Sequence, residues 1–170
     1  INVVGNTNIN DNTTMTLGAG FVTTGVNGNA YVNDGGTLLC ATNVVSGTGS
    51  FTLRTNGTLG IGLAAGITSA GATGNIQTAT RVFGTGSNYI YNGTVAQGTG
   101  NGLPFLVNDL TILNTSGITM NPVSRNYTIG GTLLLTSGSL NINGDTVTIN
   151  KLQRNSGTFG GSSTSSIGIT

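Results

Sequence analysis

The feature that most restricts what this chain can become is a spacing. From Asp109 onward, short segments of alternating apolar and polar residues recur at intervals of about seven: LTIL (110–113), ITM (118–120), YTI (127–129), TLLL (132–135), SLNI (139–142) and TVTI (146–149). The first three map onto the last three with offsets of 22, 21 and 19 residues, taking Leu110 to Thr132, Ile118 to Ser139 and Tyr127 to Thr146. Upstream, Gly36-Thr37-Leu38 returns as Gly57-Thr58-Leu59 after 21 residues. One such unit cannot bury its apolar face alone, but stacked units can cover one another. The spacing therefore predicts an all-β chain folded as a parallel β-helix, or β-solenoid. Each coil takes about 21 residues and three short strands, with equivalent strands about 4.8 Å apart. A β-sandwich is the alternative, although strands about seven residues apart leave it little room for connections.

The local signals agree. Segments such as Thr14-Met15-Thr16-Leu17, Ser50-Phe51-Thr52-Leu53 and Asn88-Tyr89-Ile90-Tyr91 alternate with period two and are bounded by Gly, Asn, Ser or Asp. Only 60–72 (GIGLAAGITSAGA) has helical character, and its four glycines argue against a helix. A single solenoid segment is expected over 1–170, with an irregular coil or loop excursion over 73–104. The pattern is already running at Ile1 and still running at Thr170, as in a segment of a longer repetitive chain.

Composition excludes several function classes. Gly (30), Thr (30) and Asn (22) make up close to half of the 170 residues, whereas charged residues are 5% and the net charge is +1. The charges are scattered, which excludes a basic nucleic-acid footprint. No apolar run approaches the roughly 20 residues of a membrane-spanning helix, so no membrane insertion is expected. A surface so poor in charge suits an extracellular or assembled protein better than a crowded cytoplasm. The single cysteine, Cys40, cannot form an internal disulfide and reads as a small buried hydrophobe.

The run SGTGSFTLRTNGTLGIG (46–62) is followed by GITSAGATGNIQT (66–78) and GSNYIYNGTVAQGTGNGLP (86–104). Beyond them stand VNDLTILNTSGITM (107–120) and GGTLLLTSGSLNINGDTVTI (130–149). This order closely resembles a recurrent block of very large, adhesin-like secreted repeat proteins of Bacteroidetes. The resemblance covers about two thirds of the chain. It implies a bacterial cell-surface or extracellular location and a repetitive architecture, and it supplies no catalytic residues.

Candidate chemistry is sparse. The absence of His removes Ser-His-type triads, and the one lysine, Lys151, has no motif around it. The four Asp (11, 34, 109 and 145) are too far apart in the repeat to pair, and Asn143-Gly144-Asp145 is only a faint likeness of a calcium turn. Gly84-Thr85-Gly86 and Gly98-Thr99-Gly100 lack the helix and lysine of phosphate loops. No catalytic, cofactor or metal site is therefore expected. Tyr89 and Tyr91, with Asn88 and Asn92, form the candidate glycan contact, because aromatic rings on one side of a strand stack on sugars when exposed. Asp145-Thr146-Val147 resembles the O-glycan acceptor of Bacteroidetes secreted proteins, which makes Thr146 a candidate modification site. Asn12, Asn56, Asn92, Asn114 and Asn126 begin N-x-S/T sequons. The expectation is a structural or adhesive extracellular module forming a stalk or filament, its partners being copies of itself or neighbouring repeats, and surface glycans. A carbohydrate-binding module is one alternative. The other is ice or mineral binding through threonine rows such as Thr14/Thr16 and Thr146/Thr148.

Overall fold

The computed structural model describes residues 5–18 and 28–170, so residues 1–4 and 19–27 of the expected solenoid lie outside the described residues. The strands begin with β1 (Thr7–Ile9), β2 (Thr14–Thr16), β3 (Asn29–Val32), β4 (Thr37–Leu39) and β5 (Val45–Leu53). They continue with β6 (Thr58–Ile61), β7 (Ile76–Phe83), β8 (Asn88–Tyr91), β9 (Gln97–Gly98) and β10 (Leu106–Val107). The last are β11 (Leu110–Thr119), β12 (Asn126–Asn141), β13 (Thr146–Arg154), β14 (Thr158–Gly160) and β15 (Ser166–Ile169).

Every described strand pairing is parallel, which excludes the sandwich. A four-stranded sheet runs β1-β3-β5-β7, and an eleven-stranded sheet follows the path β15-β13-β12-β11-β8-β6-β4-β2, with β9, β10 and β14 joined beside it. The chain is thus a β-solenoid of about seven turns. In the lower coils most faces are separate short strands, as the spacing predicts, although β5 and β7 each run through one corner. In the upper coils they fuse, and the sixteen residues of β12 run through all three faces.

The inward side chains form columns. On the second face Met15, Leu38, Leu59, Tyr89, Leu110, Leu133 and Leu152 stack through successive registers. On the first face Ile9, Val32 and Leu53 do the same. Burying each such side chain is worth about 1.5–3 kcal/mol, and no single coil could secure it.

The columns also fix register. Thr37 pairs with Thr58 at the expected offset of 21 residues. In the C-terminal third, however, Leu110 pairs with Leu133, Ile118 with Leu140 and Tyr127 with Val147. Each offset is one residue longer than the segment starts suggest. A one-residue slip would turn Thr132, Ser139 and Thr146 into the core, so matching of apolar side chains overrides matching of segment boundaries.

The repeat lengthens once. Thr58 pairs with Asn88 and Val45 with Ile76, offsets near 30. The added residues lie over 62–75, between β6 and β7, whereas 76–98 of the span singled out as irregular contains β7, β8 and β9.

Corners need backbone that side-chain-bearing residues resist. Gly138 bends β12 at φ +72°, and a Cβ built there would sit 1.8 Å from the Asn114 carbonyl oxygen of the coil below. Gly71, at φ +82°, has nothing within 4 Å of such a Cβ. Gly71→Ala should therefore cost only the left-handed penalty of about 1 kcal/mol, and Gly138→Ala about 2–4 kcal/mol. Urea denaturation of the two variants checks the difference; equal costs would mean that coil contact is not what fixes Gly138.

Candidate functional site

The tyrosines chosen as a glycan platform face the other way. Tyr89 and Tyr91 are 0% exposed and occupy inward positions of β8. The Tyr91 hydroxyl donates to the Thr99 carbonyl at 2.7 Å, and the Tyr89 hydroxyl reaches the Gly84 carbonyl at 3.3 Å. Period-two alternation placed both rings on one side of the strand. The core columns decide that this side is the interior, so neither ring can meet a sugar. Asn88 stands on the outer side but is occupied in linking coils. Its amide nitrogen donates to the Asn56 carbonyl at 3.0 Å, and its Oδ1 accepts from Asn108 Nδ2 at 2.9 Å. Asn92 is half-buried at the following corner, with its Oδ1 enclosed and unpartnered. Thr146 is half-buried in β13 between Asn126 and Ser166. The Asn114 sequon is closed, since that side chain is 0% exposed.

The threonine rows do not propagate. Thr14 continues upward as Thr37 and Thr58, but Thr16 continues as Leu39 and Gly60. A flat ice-matching array needs both positions threonine in coil after coil, so this reading loses its surface.

Two of the four carboxylates bond backbone of a neighbouring coil. Asp109 Oδ1 accepts the Thr132 N–H at 2.6 Å, and Asp145 Oδ1 accepts the Arg125 N–H at 2.8 Å. Among the described residues, no group of three or more His, Cys, Asp or Glu side chains could hold a metal ion.

What the spacing did not reveal is a polar spine inside the corner between the second and third faces. Asn43 Nδ2 donates to the Leu17 carbonyl of the coil below at 2.7 Å. Asn75 Nδ2 donates to the Ala41 and Asn43 carbonyls at 2.8 and 2.7 Å, while its Oδ1 accepts the Gly62 and Leu63 N–H groups at 3.0 and 3.1 Å. Gln97 Nε2 donates to the Ile61 and Leu63 carbonyls, and its Oε1 accepts from Gly93 N–H and from Asn114 Nδ2. Asn75, Gln97 and Asn114 are at most 3% exposed. An Asn-rich composition signals turns in general; it does not say which asparagines turn inward.

Two surface features stand out. The first is the 62–75 loop, gripped by Arg81, whose guanidinium donates to the Thr68 carbonyl and hydroxyl at 3.0 Å each and to the Gly71 carbonyl. Beside it lies an open hollow of about 420 Å³ bordered by Thr68, Thr73, Asn101, Asn121 and Pro122. Its polar groups are already engaged: the Thr68 hydroxyl donates to the Thr73 carbonyl at 2.6 Å, and Asn101 Oδ1 accepts the Ser69 N–H. The second is a hollow of about 270 Å³ lined by Phe105, Ser124, Arg125 and Asn126. Phe105 is 52% exposed, packs edge-on to Tyr127 at 5.5 Å and lies under the Arg125 guanidinium at 5.6 Å.

Burial shifts several protons. The Cys40 thiol is pushed up to about 12, and the Tyr127 phenol also to about 12, the latter by burial first and then by the nearby Asp145 charge, against the pull of Arg125. Tyr89 and Tyr91 are raised further by burial.

Comparison of the chain with models of protein families, with curated proteins and with solved structures finds no match.

Asn75→Ala would orphan two N–H groups and two carbonyls in the corner and should cost about 2–4 kcal/mol by chemical denaturation. The raised thiol and phenols bind their protons more tightly in the folded chain than in the unfolded one. Their stabilisation is complete below about pH 9 and is lost as pH rises toward 12. The urea midpoint should be flat from pH 7 to 9 and fall above it, and Cys40→Ala should soften the onset. A midpoint level up to pH 11 would contradict the enclosed core.

Proposed function

We propose that this chain is a segment of a rigid extracellular stalk or filament, built by continued stacking of β-coils. The observation that carries the reading is the continuity of the core columns from coil to coil: on one face Met15, Leu38, Leu59, Tyr89, Leu110, Leu133 and Leu152 stack in register, and on another Ile167 and Ile169 lie directly over Val147 and Ile149. Coils that bury one another's apolar face in this way make a stack that lengthens by repetition.

The low overall charge and the resemblance of 46–149 to secreted repeat blocks support a place outside the cell and an adhesive role for the whole assembly.

Seven coils at 4.8 Å span about 34 Å. Cryo-electron microscopy of concentrated chain should give rods with a 4.8 Å axial repeat. Compact monomers at every concentration would overturn the filament. Antibody labelling of intact producing cells tests the location; signal only after lysis would overturn it.

A further inference from the structure

Besides the 62–75 insertion, the stack departs from regular pairing at the passage from β7 to β10. The β1-β3-β5-β7 sheet ends at Phe83, and parallel pairing on that side resumes only with β10, against β12. Pro104 stands between them; it has no N–H to offer a strand ladder. Leu103 and Val107 on either side are 4% and 3% exposed. Strand alternation would therefore turn Phe105 inward with them, but it stands out at 52% exposed.

An arginine lies over an aromatic ring at two places, Arg54 over half-buried Tyr31 at 4.8 Å on a regular face and Arg125 over exposed Phe105 at 5.6 Å beside this break. Arg81 spends its guanidinium on the loop, whereas the Arg125 guanidinium makes no hydrogen bond or ion pair with a described residue; it lies over Phe105 and within electrostatic reach of Asp145 and Tyr127. Asp145, 0% exposed, holds the Arg125 backbone N–H and so fixes where this side chain starts. Its other oxygen, and the hydroxyl of Tyr127 (3% exposed) behind Phe105, are enclosed without a partner. Ser124, at φ +61°, is with Ala41 one of two described residues other than Gly and Asn in the left-handed region. Backbone held in that region gathers at ligand clamps.

We propose that this hollow binds an acidic saccharide, a sugar ring bearing a carboxylate. The free guanidinium supplies a planar fork matched to a carboxylate. Phe105 gives the C–H face of a pyranose an apolar surface, and Ser124 and Asn126 supply a hydroxyl and an amide for ring hydroxyls. At about 270 Å³ the hollow suits one or two sugar rings. A bare phosphate would use the arginine and waste the ring. An acidic peptide would need a second cation, which the hollow lacks. The site is independent of whether copies of the chain form filaments.

The test is isothermal titration of the whole chain with trigalacturonic acid, and with neutral galactotriose as the control, at low and at moderate salt. Binding of the acidic trimer at least about tenfold tighter than the neutral one is expected, weakening as salt rises. Arg125→Gln should reduce affinity about tenfold or more, and Arg125→Lys should restore only part of it, because a point charge does not replace the fork. Phe105→Ala should weaken both trimers. Arg154→Gln, a distant exposed cation, should change nothing. Circular dichroism melts establish that each variant is folded, and Phe105→Leu replaces Phe105→Ala if the latter is not. Absence of binding at 10 mM trimer, equal affinity for both trimers, or equal losses in Arg125→Gln and Arg154→Gln would overturn the proposal.

Discussion

Everything in this fold depends on how the corners are closed. Along the faces, parallel strands satisfy one another's backbone groups. At a corner the chain turns out of the ladder, and its N–H and C=O groups would be left orphaned against an apolar interior. The spine of Asn43, Asn75, Gln97 and Asn114 takes those groups up, each amide bonding backbone of the coil beneath. A carboxylate could not do this, because it only accepts and its charge would have to be desolvated. An amide offers two donors and two acceptor sites without charge, and Asn75 and Gln97 use all four. A chain made mostly of corners and short faces is thereby driven toward Asn, Thr and Gly and away from Asp, Glu and Lys. The unusual composition is thus a consequence of the architecture.

The same chemistry explains how the solenoid tolerates its one insertion. Asn75 lies at the exit of the 62–75 loop, and its oxygen holds Gly62 and Leu63 at the entrance. One side chain closes both limbs, so the intervening residues can leave the stack without opening it. Arg81 then fastens the loop from β7, the last strand of its sheet. Closing a longer loop costs only slowly growing entropy, which a buried amide with four hydrogen bonds offsets.

The period, the parallel coils and the burial of Cys40 were legible because they rest on counting: apolar residues recur at fixed distances, and the turn residues between them are local. What rests on three dimensions was not. Segment starts gave offsets one residue short in the C-terminal third, because LTIL, ITM and YTI begin on an inward residue whereas TLLL, SLNI and TVTI begin on the outward residue before it. Alternation put Tyr89 and Tyr91 together on one side of β8 without saying which side. The answer came from Leu59 and Leu110, their register partners a coil away. Phe105 and Arg125 carried no signal of their own, since twenty residues separate them and only stacking brings them together.

Stacking leaves little freedom for anything else. A side chain on a regular face has neighbours about 4.8 Å above and below, and its hydrogen-bonding groups are readily taken up by them, as Asn88 is by Asn56 and Asn108. A regular solenoid surface is therefore chemically quiet. Where the stack is interrupted, side chains lose those neighbours: beside the break between β7 and β10, Phe105 stands 52% exposed with the Arg125 guanidinium over it. The regularity of the stack thus leaves its exposed exceptions to its irregular steps.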